Sequence, residues 1–152
     1  MAHRTLFLIQ TELYPLTGGV SLRNWQNITL MRTYGEVGIF SIYQGAAQRH
    51  LPAVQGQFAL WQHHDWSSPT YSQWDKVQRR LWRVRPGGNA RADWLYSQAL
   101  VQQLKATLQA FRPTLIIVEE IWLFRYLPTL KVWGCPIVLD NHNVEGDDSR
   151  YP

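Results

Sequence analysis

Short unbroken apolar runs alternate along this chain with longer segments in which apolar residues recur every three or four positions. Thr5-Leu6-Phe7-Leu8-Ile9 is the first run, and its continuous hydrophobicity predicts a strand covered on both faces. Thr11 to Val20, carrying Pro15 and Gly18-Gly19, predicts a loop. Ser21 is the expected N-cap of a helix on which Leu22, Trp25, Ile28 and Met31 form one apolar stripe, with Tyr34-Gly35 ending it. Val37 to Tyr43 predicts the next strand. A strand, glycine loop, helix and strand in this order imply a right-handed parallel crossover.

The pattern weakens between Gln44 and Asp65, where Phe58-Ala59-Leu60-Trp61 is the candidate third strand. Trp74, Val77, Leu81 and Val84 have helical spacing, and Pro86-Gly87-Gly88 closes that element. A second helix is expected from about Ala92 to Ala110, stopped by Arg112-Pro113. Leu115 to Val118 predicts a buried strand, Trp122 to Val132 a short helix, and Pro136-Ile137-Val138-Leu139 a last strand. Such alternation predicts a three-layer α/β fold around a mostly parallel sheet. No internal repeat, low-complexity tract or linker interrupts it, so residues 1–152 are expected to form one domain.

Composition narrows the classes. Apolar residues make up 45% and charged residues 17% of the 152 positions, which favours a folded chain over a disordered one. The single cysteine, Cys135, excludes a disulfide framework and suits a reducing, cytoplasmic setting. The apolar runs Leu6 to Ile9 and Leu115 to Val118 are too short for a secretory leader or a membrane span. A net charge of +4 favours anionic partners without choosing among them.

Three segments carry candidate chemistry. Gly18-Gly19, between a strand and a helix, would let a ligand approach the backbone and meet free N–H groups at the helix start; the plain alternative is a turn needing positive φ. The spacing is not G-x-G-x-x-G, so the dinucleotide fingerprint is absent and no cofactor is expected. Arg23, in the first helical turn, would add charge beside a phosphate or simply sit in solvent. Glu119 and Glu120 stand at the carboxyl end of a strand, where one of them would orient a hydroxyl or act as a base if burial raised its pKa. Asp140-Asn141-His142-Asn143-Val144-Glu145 packs five polar side chains just past an apolar strand, a density that binds a ligand or caps a helix, with Asn143 the candidate cap.

His63-His64-Asp65 raises a metal site, but adjacent histidines chelate one ion poorly and no second cluster has ligand spacing. Lys76, Arg79, Arg80, Arg83, Arg85 and Arg91, interleaved with Trp74, Trp82 and Trp94, read as a solvated helix face or as a surface for an anionic membrane. No recognised nucleic-acid motif accompanies them, so nucleic acid is not an expected partner.

Several of these residues resemble family-four glycosyltransferases of the two-Rossmann-domain (GT-B) type. Pro15-Leu16-Thr17-Gly18-Gly19 with Arg23 is similar to their P-x-x-G-G…R opening. Arg112-Pro113-Thr114-Leu115-Ile116-Ile117-Val118-Glu119 and the run from Pro136 to Glu145 resemble two later strand motifs, in the same order. Residues 44–95 match only in character. Thr114 stands where the family usually has Asp, and Glu119, Glu120 or Ile121 where it often has a histidine.

The resemblance implies the amino-terminal, acceptor-side domain of a retaining, metal-independent enzyme that moves sugar from a nucleotide-sugar to a hydroxyl. That hydroxyl would belong to a sugar, a lipid-linked sugar or another small molecule. The second, donor-binding domain is absent from the 152 residues, so the chain is expected to be a truncated or split product, inactive alone. Gly18 and Gly19 would face the donor's phosphates across the cleft, and His142 with Asn143 would line the acceptor side. Glu120 and His142 are the candidate catalytic residues; Gly18, Gly19, Arg23, Asn143 and Glu145 are the candidate substrate-binding residues. A second reading needs no catalysis: a Rossmann-like binding protein that meets an anionic membrane, at the inner face of a cell membrane, or another partner through its basic Trp-bearing segment.

Overall fold

A computed structural model of the chain describes residues 3–14, 16, 18–43, 56–65, 73–84 and 90–141. Five strands form one sheet: β1 (His3–Ile9), β2 (Gly35–Tyr43), β3 (Leu60–Asp65), β4 (Leu115–Glu119) and β5 (Ile137–Asp140). Their order is β3-β2-β1-β4-β5 and every neighbouring pair is parallel. The helices are α1 (Gly19–Arg32), α2 (Gln73–Arg83), α3 (Ala90–Leu95), α4 (Gln98–Phe111) and α5 (Leu127–Lys131), the last preceded by a 3-10 turn over Ile121–Tyr126.

The apolar runs are strands because both faces are covered. Leu6 and Leu8 of β1 pack beneath α4 with Phe40, Ile116 and Val118, while Phe7 and Ile9 pack beneath α1 with Ile39 and Ile28. Alternate residues of one strand therefore feed two separate cores, which makes the domain three layers deep. Gly38 fits this packing closely: a Cβ there would lie 3.1 Å from the Phe111 ring.

Several boundaries differ from the sequence expectation, each for a local reason. Helix α1 begins at Gly19, two residues before Ser21, because Ser21 acts from inside the first turn. Its hydroxyl accepts from the Gly18 N–H (3.1 Å) and donates to the Gly18 carbonyl (2.9 Å). The buried face of α1 is Ser21, Asn24 and Ile28; Leu22 is exposed, and Trp25 and Met31 are only partly covered. The third strand starts at Leu60 rather than Phe58 and runs through both histidines. Phe58 instead sets its ring edge-on to Trp25 and Trp61.

The helix expected from Ala92 to Ala110 is two helices. Ser97 adopts extended backbone (φ −145°, ψ 151°) and its hydroxyl accepts from the Leu100 N–H at 3.1 Å, so it caps α4 and breaks the run. Replacing Ser97 with Ala should cost about 1 kcal/mol, read as a lower denaturant midpoint at unchanged slope. The segment expected to be one helix over Trp122 to Val132 divides likewise into the 3-10 turn and α5, with Pro128 in the first turn of α5. No helix among the described residues is long and apolar enough to cross a membrane.

Candidate functional site at the sheet's switch point

In this strand order the chain leaves β1 toward β2 on one side and returns to β4 on the other, so the carboxyl ends of β1 and β4 diverge into a crevice. Open α/β sheets bind ligands in that crevice. Thr11 follows β1, Glu119 ends β4 and Glu120 comes directly after it. The Thr11 hydroxyl donates to Glu120 Oε1 at 3.0 Å, bridging the two strands across the divergence. These partners lie 109 residues apart in sequence.

Glu120 is held in an unusual conformation. Its φ of 84° and ψ of 137° are rare for any residue with a side chain. Such a backbone costs on the order of 1–3 kcal/mol and persists only where surrounding contacts over-determine it. Here the Glu120 N–H donates to the Asp140 carbonyl at 2.9 Å, and its own carbonyl accepts from the Leu123 N–H at 3.3 Å. The residue is buried, 8% exposed, with its carboxylate held by Thr11.

Glu119 lies one residue earlier and is completely buried. Burial pushes its carboxyl up to about 7, with the Asp140 carboxylate adding to the rise. A hydrogen bond from Asn27, and the charge of Arg23, oppose it. The condition for a proton-handling carboxyl, a pKa raised by burial, is thus met by Glu119, next to the candidate catalytic residue Glu120. Asp140, paired with Glu119 across β4 and β5, accepts from Arg23 Nη2 at 3.0 Å and Asn27 Nδ2 at 2.9 Å. Arg23 is therefore tied to a protein carboxylate on its half-exposed flank of α1.

Gly18 and Gly19 open α1 beside this cluster. Gly18 is extended (φ −144°, ψ 163°), and among the described glycines only Gly134 has positive φ, so the turn explanation does not hold for either. A Cβ on Gly18 would come no closer than 4.0 Å to Ser21 Oγ, and one on Gly19 would meet nothing within 4 Å. Neither backbone strain nor crowding inside the protein calls for glycine here. His142, Asn143 and Glu145 lie outside the described residues.

The structure thus brings together Gly18, Gly19, Arg23 and Glu120 from the candidate set, and adds Thr11, Asn27, Glu119 and Asp140. Asn27 was missed because it lies off the apolar stripe, where any polar residue reads as solvent-facing. An open groove of about 260 Å³ runs from Asn27 and Asp140 between α1 and β5, floored by Ile117 and Val138. A larger groove of about 540 Å³ lies between α4 and α5, on the other face of the sheet, where Trp133 Nε1 donates to the Pro113 carbonyl. It carries none of these carboxylates.

The histidine pair sits elsewhere. Successive strand residues face opposite ways, so His64 stacks on Phe40 and His63 on Tyr43. Burial lowers both, His64 to about 4. Among the described residues no group of three His, Cys, Asp or Glu side chains could hold a metal ion.

No protein-family model and no curated protein matches this chain. Among solved structures it is similar to the carboxyl-terminal domain of a hydrogenase from Pyrococcus furiosus, residues 78–226, with a TM-score of 0.55 over 91% of each chain. Identity is 11%. The likeness is one of fold. Together with the all-parallel β3-β2-β1-β4-β5 sheet it establishes a Rossmann-like α/β domain.

Proposed function

We propose that this domain is the acceptor-binding half of a sugar-transferring enzyme, with the acceptor hydroxyl held at the switch point between β1 and β4. The observation that carries this reading is Glu120. A carboxylate kept at a crevice edge in a costly backbone conformation, bridged to Thr11 and braced by β5, is the kind of strain that active sites retain. Glu120 would orient the hydroxyl, and Glu119, poised near neutral pH, would buffer the charge beneath it. The unexplained glycine pair supports the same reading, since bare backbone at a helix start suits close approach of a phosphate. The order of the sequence motifs around Gly18 and Asp140 supplies the specific class. In enzymes of that class a second domain holds the nucleotide-sugar, and catalysis rests on positioning and on stabilising the departing phosphate.

Two measurements test this together. Titration with a panel of mono- and disaccharides and their phosphates should find binding that Glu120→Ala weakens at least tenfold, of the order lost when a charge-assisted hydrogen bond is removed. Turnover of UDP-glucose or GDP-mannose by the purified chain should be absent. Binding of no saccharide, or hydride transfer with a nicotinamide cofactor, would remove the proposal.

A further inference from the structure

The apolar stripe of α2 does not face the protein. Trp74, Val77 and Leu81 are 76%, 46% and 64% exposed, and Val84, just past the helix, is 84% exposed. At 3.6 residues per turn these four side chains fall within roughly 80° of the helix circumference. A stripe of this kind on a domain's surface helix ordinarily points to the core. Neither core takes a residue from α2 among the described residues. Lys76 and Arg80 are exposed along one flank of the stripe. There a groove of about 390 Å³ is lined, among the described residues, by Gln73, Lys76, Val77 and Arg80.

The helix is nonetheless fixed to the domain. It packs on α3, and α3 is pinned to the turn after β4 by the ion pair of Asp93 with Arg125 and by the Tyr126 hydroxyl, which donates to the Leu95 carbonyl at 2.7 Å. A helix packed on the domain in this way, with an outward apolar arc and a cationic flank, is an interaction surface, and its two chemistries select the partner. A polynucleotide would use the cations and leave Trp74, Val77 and Leu81 wet. An apolar groove on another protein would use the arc without needing the cations. An anionic bilayer uses both, because the acyl boundary takes the arc while lipid phosphates meet the flank.

We propose that α2 lies in the plane of an anionic membrane surface, with Trp74, Val77 and Leu81 in the headgroup–acyl boundary and Lys76 and Arg80 at the level of the lipid phosphates. This stands apart from the sugar-transfer reading and survives its failure. The sequence adds Arg79, Arg83 and Arg85 to the same segment against the one acid Asp75.

Co-sedimentation of the full chain with vesicles tests it. Vesicles of phosphatidylcholine with phosphatidylglycerol should bind the chain, and phosphatidylcholine alone should leave it in solution. Lys76→Glu with Arg80→Glu should weaken binding at least tenfold and flatten its salt dependence. Trp74→Ser with Leu81→Ser should weaken it by a similar factor at every salt concentration. All four side chains are exposed, so both double variants should melt like the parent, which circular dichroism checks. Equal binding to neutral vesicles, or an unchanged affinity in either double variant, would overturn the proposal. So would a chain that ignores vesicles while α2 substitutions abolish its self-association or its binding to a polynucleotide.

Discussion

Replacing Arg125 with Ala should lower the stability of the domain by about 3–5 kcal/mol, the cost of leaving one partner of a buried ion pair uncompensated. Asp93 is 1% exposed, and its Oδ1 is held by Arg125 Nη2. Its other oxygen, Oδ2, has no hydrogen-bond partner among the described residues. With the guanidinium gone, the carboxylate must either stay charged in an apolar setting or take up a proton. For a domain of this size the loss corresponds to a fall in melting temperature of roughly 10 °C. The double variant Arg125→Met with Asp93→Leu should recover most of it, since two apolar groups leave no charge to neutralise. Thermal unfolding of the parent, the single and the double variant checks this; a single-variant loss under about 1 kcal/mol would mean that the pair behaves as a screened surface contact.

The second large effect is the contribution that Glu119 makes to the dependence of stability on pH. The Glu119 carboxyl rises from an ordinary value of 4.5 to about 7 in the fold, chiefly through burial and then through Asp140. A raised carboxyl binds its proton more tightly in the folded chain, so its contribution is fully present below about pH 4.5. That contribution is lost as pH rises through about 7. At about 1.4 kcal/mol per unit the full shift caps the loss near 3.5 kcal/mol. Relaxation and water penetration around the charged carboxylate bring the expected value to about 2 kcal/mol. Glu119→Gln keeps an oxygen for Asn27 and removes the titration. It should therefore match the parent near pH 4 and exceed it by about 2 kcal/mol at pH 8, measured by urea unfolding across that range. A constant difference at every pH would contradict a titrating Glu119.

The strands were legible because each apolar run is covered on both faces, and that needs only consecutive residues such as Thr5 to Ile9. Helix α4 was legible for a similar reason, through Val101, Leu104 and Leu108 on one face. The failures fall where polar and apolar residues exchange their usual places. Asn24 and Ser21 are buried on α1 while Leu22 is exposed, and Trp74 and Leu81 lie outward on α2. The break at Ser97 turns on one side-chain hydrogen bond, which no periodicity signals. At the site, Gly18, Gly19, Arg23 and the Glu119-Glu120 pair stood out by their position next to strands. Thr11 and Asn27 did not, because their partners Glu120 and Asp140 are 109 and 113 residues away. Only the parallel register that sets β1 beside β4 and β4 beside β5 brings them together.

Gly18 shows how structure can sharpen a weak sequence signal. A glycine pair in a loop ordinarily reports a left-handed turn or tight packing. With extended backbone at Gly18 and open space around Gly19, both of those causes fall away; Gly18 is the N-cap of α1, a place glycine favours, and close approach of a ligand is the role that the proposed function gives the pair. The same logic strengthens Glu120, where a side chain is kept although glycine would relieve the backbone.

Everything in the functional account depends on where the ligand sits. Amide chemical-shift mapping of the isotope-labelled chain, titrated with the saccharide that binds best, tests this most directly. Perturbations are expected to centre on Thr11, Gly18, Gly19, Glu119, Glu120 and Asp140, around the carboxyl ends of β1, β4 and β5. Perturbations centred instead on the groove between Lys105 and Trp133, with the switch point silent, would contradict that placement.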